Sequence, residues 1–81
     1  MQVIENTTYS DGSGWVASVT VGGVLYVCNY VANRLTVRLG PYKHAPRRPR
    51  WHISHVTKWA EQQVAALKPE WLELHRAMYA D

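Results

Sequence analysis

Trp15-Val16-Ala17-Ser18-Val19-Thr20-Val21-Gly22-Gly23-Val24-Leu25-Tyr26-Val27-Cys28-Asn29-Tyr30-Val31-Ala32-Asn33-Arg34-Leu35-Thr36-Val37-Arg38-Leu39 is the stretch on which the fold turns. Its period is two. Trp15, Ala17, Val19 and Val21 alternate with Val16, Ser18 and Thr20, as in a strand with one apolar face. Gly22-Gly23 supplies a two-residue turn, because paired glycines accept the positive φ that primed hairpin turns require. Val24 to Val31 reads as a second strand. Ala32-Asn33 reads as a second tight turn, asparagine tolerating the left-handed region better than most residues. Arg34 to Leu39 is then a third strand, ended by Gly40-Pro41.

The two turns fix a register. The first sets Val21 opposite Val24, Val19 opposite Tyr26, Ala17 opposite Cys28 and Trp15 opposite Tyr30. The second sets Tyr30 opposite Leu35, Cys28 opposite Val37 and Tyr26 opposite Leu39. All of these residues share one side of the sheet, and a slip of one residue in either turn would scatter them. The other side is mixed. Ser18, Thr20, Asn29, Arg34, Thr36 and Arg38 stand beside Val16, Leu25, Val27 and Val31, which suits a face in water, partly covered, or used for docking.

Outward from this core stretch, Val3 to Tyr9 is expected to add an edge strand, with Asp11-Gly12 as its turn. From Ser54 the period becomes helical: Val56, Trp59, Ala60, Val64 and Leu67 form a stripe, with Ser54 as the N-cap. Lys68-Pro69 ends that helix. Trp71, Leu74, His75 and Met78, with Leu72 and Tyr79 beside them, make a further stripe. It belongs either to a second helix starting at Pro69-Glu70 or to one helix kinked at Pro69. Strands first and helices last predict an α+β domain, a three- or four-stranded antiparallel β-meander packed on one face by one or two C-terminal helices. The large core pieces would be Trp15, Trp59 and Trp71. The organisation is a single domain over residues 1–81, with a meander at 3–40, a basic proline-rich connector at 41–53 and a helical segment at 54–81.

Composition bounds the function. The 81 residues suffice for one core, and a hydrophobic content of 47% with few charges excludes a disordered chain. A lone cysteine, Cys28, rules out an internal disulfide framework. The first residues, Met1-Gln2-Val3-Ile4-Glu5, lack the pattern of a secretion signal, and no apolar run is long enough to span a bilayer. A cytoplasmic protein without membrane contact is the expectation. The net charge of +3 is concentrated: residues 1–40 are balanced, 53–81 carry one excess negative charge, and Lys43, Arg47, Arg48 and Arg50 stand together without an acid.

That segment, Tyr42-Lys43-His44-Ala45-Pro46-Arg47-Arg48-Pro49-Arg50-Trp51-His52, is the leading candidate site. Pro46 and Pro49 keep it extended, so its cations can track a phosphate backbone, and Tyr42 and Trp51 offer rings to bases or sugars. His52 closes the segment. Arg34 and Arg38 add charge on one face of an edge strand. The partner would be DNA, RNA or a nucleoprotein complex, or alternatively an acidic protein surface. Trp15-Val16-Ala17-Ser18-Val19-Thr20-Val21-Gly22 also resembles the opening strand of the phage-integrase domains that lay a three-stranded sheet into the major groove, over those residues alone.

Other chemistry finds little footing. His52 and His55 are three apart, but the spacing of His44, His52, His55 and His75 matches no zinc signature, and Cys28 falls on the buried face. No catalytic residues, metal or cofactor are expected, because no nucleophile elbow, phosphate loop or converging acid–base set is present. A small non-enzymatic binding protein is the leading expectation. The alternative is a protein-directed inhibitor or adaptor of the type carried by phages and mobile elements, similar in build to anti-CRISPR proteins. It would dock through Val16, Leu25, Val27 and Val31 with Trp51 or Tyr42 as anchors. Self-association through sheet edges or the outer sheet face is a third possibility.

Overall fold

The computed structural model describes residues 1–9, 13–44, 46–70 and Glu73. Among the described residues, four antiparallel strands, β1 (Gln2–Thr8), β2 (Gly14–Val21), β3 (Val24–Val31) and β4 (Arg34–Leu39), lie side by side in chain order, followed by the helix α1 (Trp51–Leu67). This is the expected α+β meander. Both turns form where the sequence places them: Gly22 and Gly23 have φ of 55° and 79°, Ala32 and Asn33 have φ of 54° and 63°. The register follows from the turns, with Trp15 opposite Tyr30, Val19 opposite Tyr26, Cys28 opposite Val37 and Tyr26 opposite Leu39.

One face of the sheet is therefore apolar, and α1 lies on it. Trp15, Ala17, Val19, Val21, Val24, Tyr26, Cys28 and Tyr30 are buried, and Leu35, Val37 and Leu39 pack half-buried against them from the edge strand. The helix contributes His52, Val56, Ala60 and Val64, each four residues after the last, so they form one stripe along the contact. Trp59 flanks the stripe, its ring 5.7 Å from that of Trp15. The helix runs from the Gly22-Gly23 end of the sheet to the Ala32-Asn33 end. His52 lies beneath Gly22, and Lys68 Nζ donates to Asn33 Oδ1 at 2.9 Å.

The edge strand β1 is found one residue earlier than expected and is exposed along its length. A bulge at Ile4, between the Val3–Val19 and Glu5–Ser18 pairs, twists it. Its inner side is tied down by polar contacts: Trp15 Nε1–H donates to Asn6 Oδ1 at 2.6 Å, and Asn6 Nδ2 to Gln63 Oε1 at 3.4 Å.

The helix begins at Trp51 rather than Ser54. Arg50 occupies the N-cap position in helical geometry with no side-chain cap, and His52 N–H bonds back to Pro49 O at 3.2 Å. Tertiary contact accounts for the early start. His52 is buried on Tyr26, and that anchor holds the turn in place of a capping serine. At the other end α1 stops before Pro69, and Lys68 N–H closes on Val64 O at 2.8 Å. The Asp11-Gly12 turn, Trp71, and the stripe of Leu72, Leu74, His75, Met78 and Tyr79 lie outside the described residues. No described helix is long and apolar enough to cross a membrane.

Candidate functional site

The meander ends at Gly40, whose N–H returns to Leu25 O at 2.9 Å, and the connector then turns back beneath the sheet to start α1. Lys43, Arg47, Arg48 and Arg50 are all exposed along this path. Arg48 and Arg50, with Pro49 and Ile53, line an open hollow of about 430 Å³. None of Arg38, Lys43, Arg47, Arg48 or Arg50 is paired with a carboxylate among the described residues. The first turn of α1 contains no acid. Three arginines thus precede the positive end of a helix dipole, which disfavours a cation, most directly Arg50 at the N-cap.

The aromatic members behave differently from one another. Trp51, at the first helical position, is 56% exposed. The rings of His52 and His55 stand nearly perpendicular to it, at centroid distances of 4.4 and 5.9 Å, so its orientation is defined from the helix side. Tyr42 is less open, and its hydroxyl accepts a hydrogen bond from Leu25 N–H, which ties it to the sheet.

His52 is not a surface residue. It is 4% exposed, its Nδ1 lies 2.9 Å from Tyr26 Oη, and the two rings meet edge to face. Its role is to dock the start of α1, so the surface available to a partner is that of Trp51 and the arginines without it. Burial pushes the Tyr26 phenol above its ordinary value, with the nearby Arg48 charge pulling the other way. Sequence reasoning placed His52 in an exposed connector. The available signal was its spacing: His52 precedes Val56 by four residues and extends the buried stripe back by one turn.

Arg34 and Arg38 are exposed on β4, on the face turned away from α1, because Leu35, Val37 and Leu39 take the inward positions between them. Arg38, opposite Val27, is at the end of the sheet that carries the connector. Arg34, opposite Val31, is at the other end, about 13 Å away along the strand. The sequence-predicted set therefore divides. Lys43, Arg47, Arg48 and Arg50 lie exposed along the connector that leads to Trp51, and Arg48 and Arg50 line one hollow. Arg38 is at the same end of the sheet but on the face turned away from α1, and Arg34 is at the other end. No described element covers the outer face, where Val16, Leu25 and Val27 are half-buried and Val31 is 47% exposed. Asn29 Oδ1 on that face is buried without a hydrogen-bond donor among the described residues.

A second concavity, of about 250 Å³, lies between sheet and helix and is lined by Thr8, Gly14, Trp15, Tyr30, Leu67 and Lys68. It holds no nucleophile–base pair among those residues. Among the described residues no group of three or more His, Cys, Asp or Glu side chains gathers as a metal site. Cys28 is fully buried at mid-strand, and burial pushes its thiol up to about 11. Comparison of the chain with family models, with curated proteins and with solved structures gives no match.

Proposed function

We propose that this is a small non-enzymatic binding protein whose connector, residues 43–51, engages an anionic partner, with nucleic acid, alone or within a nucleoprotein complex, as the ligand. The observation that carries the proposal is the run of exposed Lys43, Arg47, Arg48 and Arg50 along the connector, without carboxylate partners among the described residues, with Arg38 exposed at the same end of the sheet. Charges left unneutralised in the free protein are those that release counterions when phosphates replace them.

A salt titration tests this. With four cations engaged on a duplex, the log–log slope of affinity against salt is about −3 to −4, and about −3 on a single strand. Neutralising Arg47 and Arg48 together (Arg47→Gln, Arg48→Gln) would lower the slope by about 2 on a duplex. Undetectable binding in low salt, or affinity indifferent to salt, would sink the proposal.

A second reading, a protein-directed inhibitor or adaptor, draws support from an outer face that no described element covers, with its half-buried Val16 and Val27, exposed Val31 and an Asn29 oxygen without a donor among the described residues. Val27→Thr with Val31→Thr keeps shape and charge while removing apolar surface. It would weaken docking of a protein partner there and leave nucleic-acid affinity unchanged.

A further inference from the structure

The connector combines an exposed cationic track with a single large aromatic ring held in a defined orientation, and that combination discriminates between forms of nucleic acid. A duplex presents charge but hides its base faces, whereas a single strand offers both. Trp51 is 56% exposed although burying an indole on a small core would be favourable. It is kept outside by its position: His52, the next residue, turns inward to Tyr26, and neighbouring residues on a helix project about 100° apart. The near-perpendicular rings of His52 and His55 then define how it stands. Directly before it in the chain, Arg48, Pro49 and Arg50, with Ile53 of the next turn, form the open hollow of about 430 Å³. An exposed ring one and three residues after two exposed arginines suits a stretch of single strand, one base on the indole and neighbouring phosphates among the arginines. Tyr42 is a poorer platform, because its hydroxyl is committed to Leu25 N–H.

We infer that the preferred ligand is single-stranded nucleic acid, with one base stacked on Trp51 and the adjacent phosphates held by Arg48 and Arg50. The inference rests on the nucleic-acid reading above and narrows it. No strand or helix is required to enter a groove, and recognition of this kind tolerates any base, since every base has a π-face.

Fluorescence anisotropy with labelled oligonucleotides tests it on the full chain. Four ligands of equal length are compared: a thymine single strand, an adenine single strand, the same length of abasic strand, and a duplex. Both base-bearing single strands should bind more tightly than the abasic strand and the duplex. Trp51→Ala should weaken the base-bearing strands by roughly 5- to 100-fold, the weight of one stacked base, with the salt slope unchanged. Trp51→Phe should recover most of that loss, because it restores a ring, and neither change should alter affinity for the abasic strand. Arg48→Gln should instead lower the salt slope by about 0.7 on each single strand and by about 0.9 on the duplex. Abasic strand or duplex bound as tightly as the base-bearing strands, or Trp51→Ala without effect, would overturn the stacking inference while leaving the electrostatic proposal standing. No binding to any of the four would overturn both.

Discussion

Tyr26 and His52 form a buried polar contact that docks the start of the helix on the sheet, and its removal gives a measurable result. Both residues are buried, Tyr26 completely and His52 to 4% exposure, and their polar atoms are 2.9 Å apart. Tyr26→Phe leaves a ring nitrogen of His52 without a partner in a dry site, and His52→Leu does the same to the phenol. Each should cost about 1–3 kcal/mol, since the penalty is that of a buried unsatisfied polar group rather than of the bond alone. The double variant removes both polar atoms and should lie within about 1 kcal/mol of the parent, so the two single losses should fall short of additivity by about 1–5 kcal/mol. At roughly 0.05–0.15 kcal/mol per residue, an 81-residue domain has about 4–12 kcal/mol in total, so either single change is a large fraction. Urea denaturation followed by far-UV circular dichroism reads the effect. With m near 1–2 kcal/mol/M, a loss of 2 kcal/mol lowers the midpoint by about 1–2 M. Equal m-values across the four proteins would license the comparison. If the two single losses simply add in the double variant, the bond is not made and the account of why α1 starts at Trp51 is wrong.

Two further outcomes follow from the core. Because burial raises the Cys28 thiol from 9.0 to about 11, the folded chain keeps a proton between those values that the unfolded chain has released, so stability falls as pH rises through that window. By pH 11 the loss is about 2 kcal/mol, and Cys28→Val should flatten this part of a stability–pH profile. At Gly14 a Cβ would stand 2.6 Å from the Tyr30 carbonyl oxygen and 2.8 Å from the Tyr9 ring. Gly14→Ala should therefore destabilise by about 1–3 kcal/mol in the same denaturation assay, and a neutral result would mean that neither the Tyr30 carbonyl nor the Tyr9 ring approaches Gly14 this closely.

The hairpins were legible because their signals are local and mutually checking. Gly22-Gly23 and Ala32-Asn33 each specify a turn, and only one register satisfies both while keeping Trp15, Cys28 and Tyr30 on a common side. The start of the helix was less legible. Arg50 is a poor N-cap and Ser54 a good one, so local preference favours a later start, and it loses to the long-range contact between His52 and Tyr26. The exposure of β1 was equally hidden: α1 packs mainly on β2, β3 and β4 and reaches β1 through the Asn6–Gln63 hydrogen bond, and nothing in Val3 to Tyr9 announces this. Within the candidate site, charge could be counted from sequence but not its distribution over two faces, which requires knowing that Leu35, Val37 and Leu39 turn inward beside Arg34 and Arg38.

The placement of the cations bears on the choice between binding and mere solubility. A solubilising charge works from any exposed position, and it serves best where it also satisfies a dipole or an acid. Here Arg47, Arg48 and Arg50 precede the positive end of α1, in a first turn without a carboxylate, beside a tryptophan that solubility would disfavour. Each of those features subtracts from a small stability, and they coincide within five residues. Moving the arginines to the last turn of α1, which contains no basic residue, would give the same net charge with a favourable dipole term. A stability optimum and the observed sequence therefore point in opposite directions at this one corner of the molecule, the pattern expected where surface chemistry answers to an external ligand. An Arg47→Glu, Arg50→Glu variant makes the conflict explicit: the first-turn electrostatics improve, so thermal stability should hold or rise, while affinity for an anionic ligand should collapse.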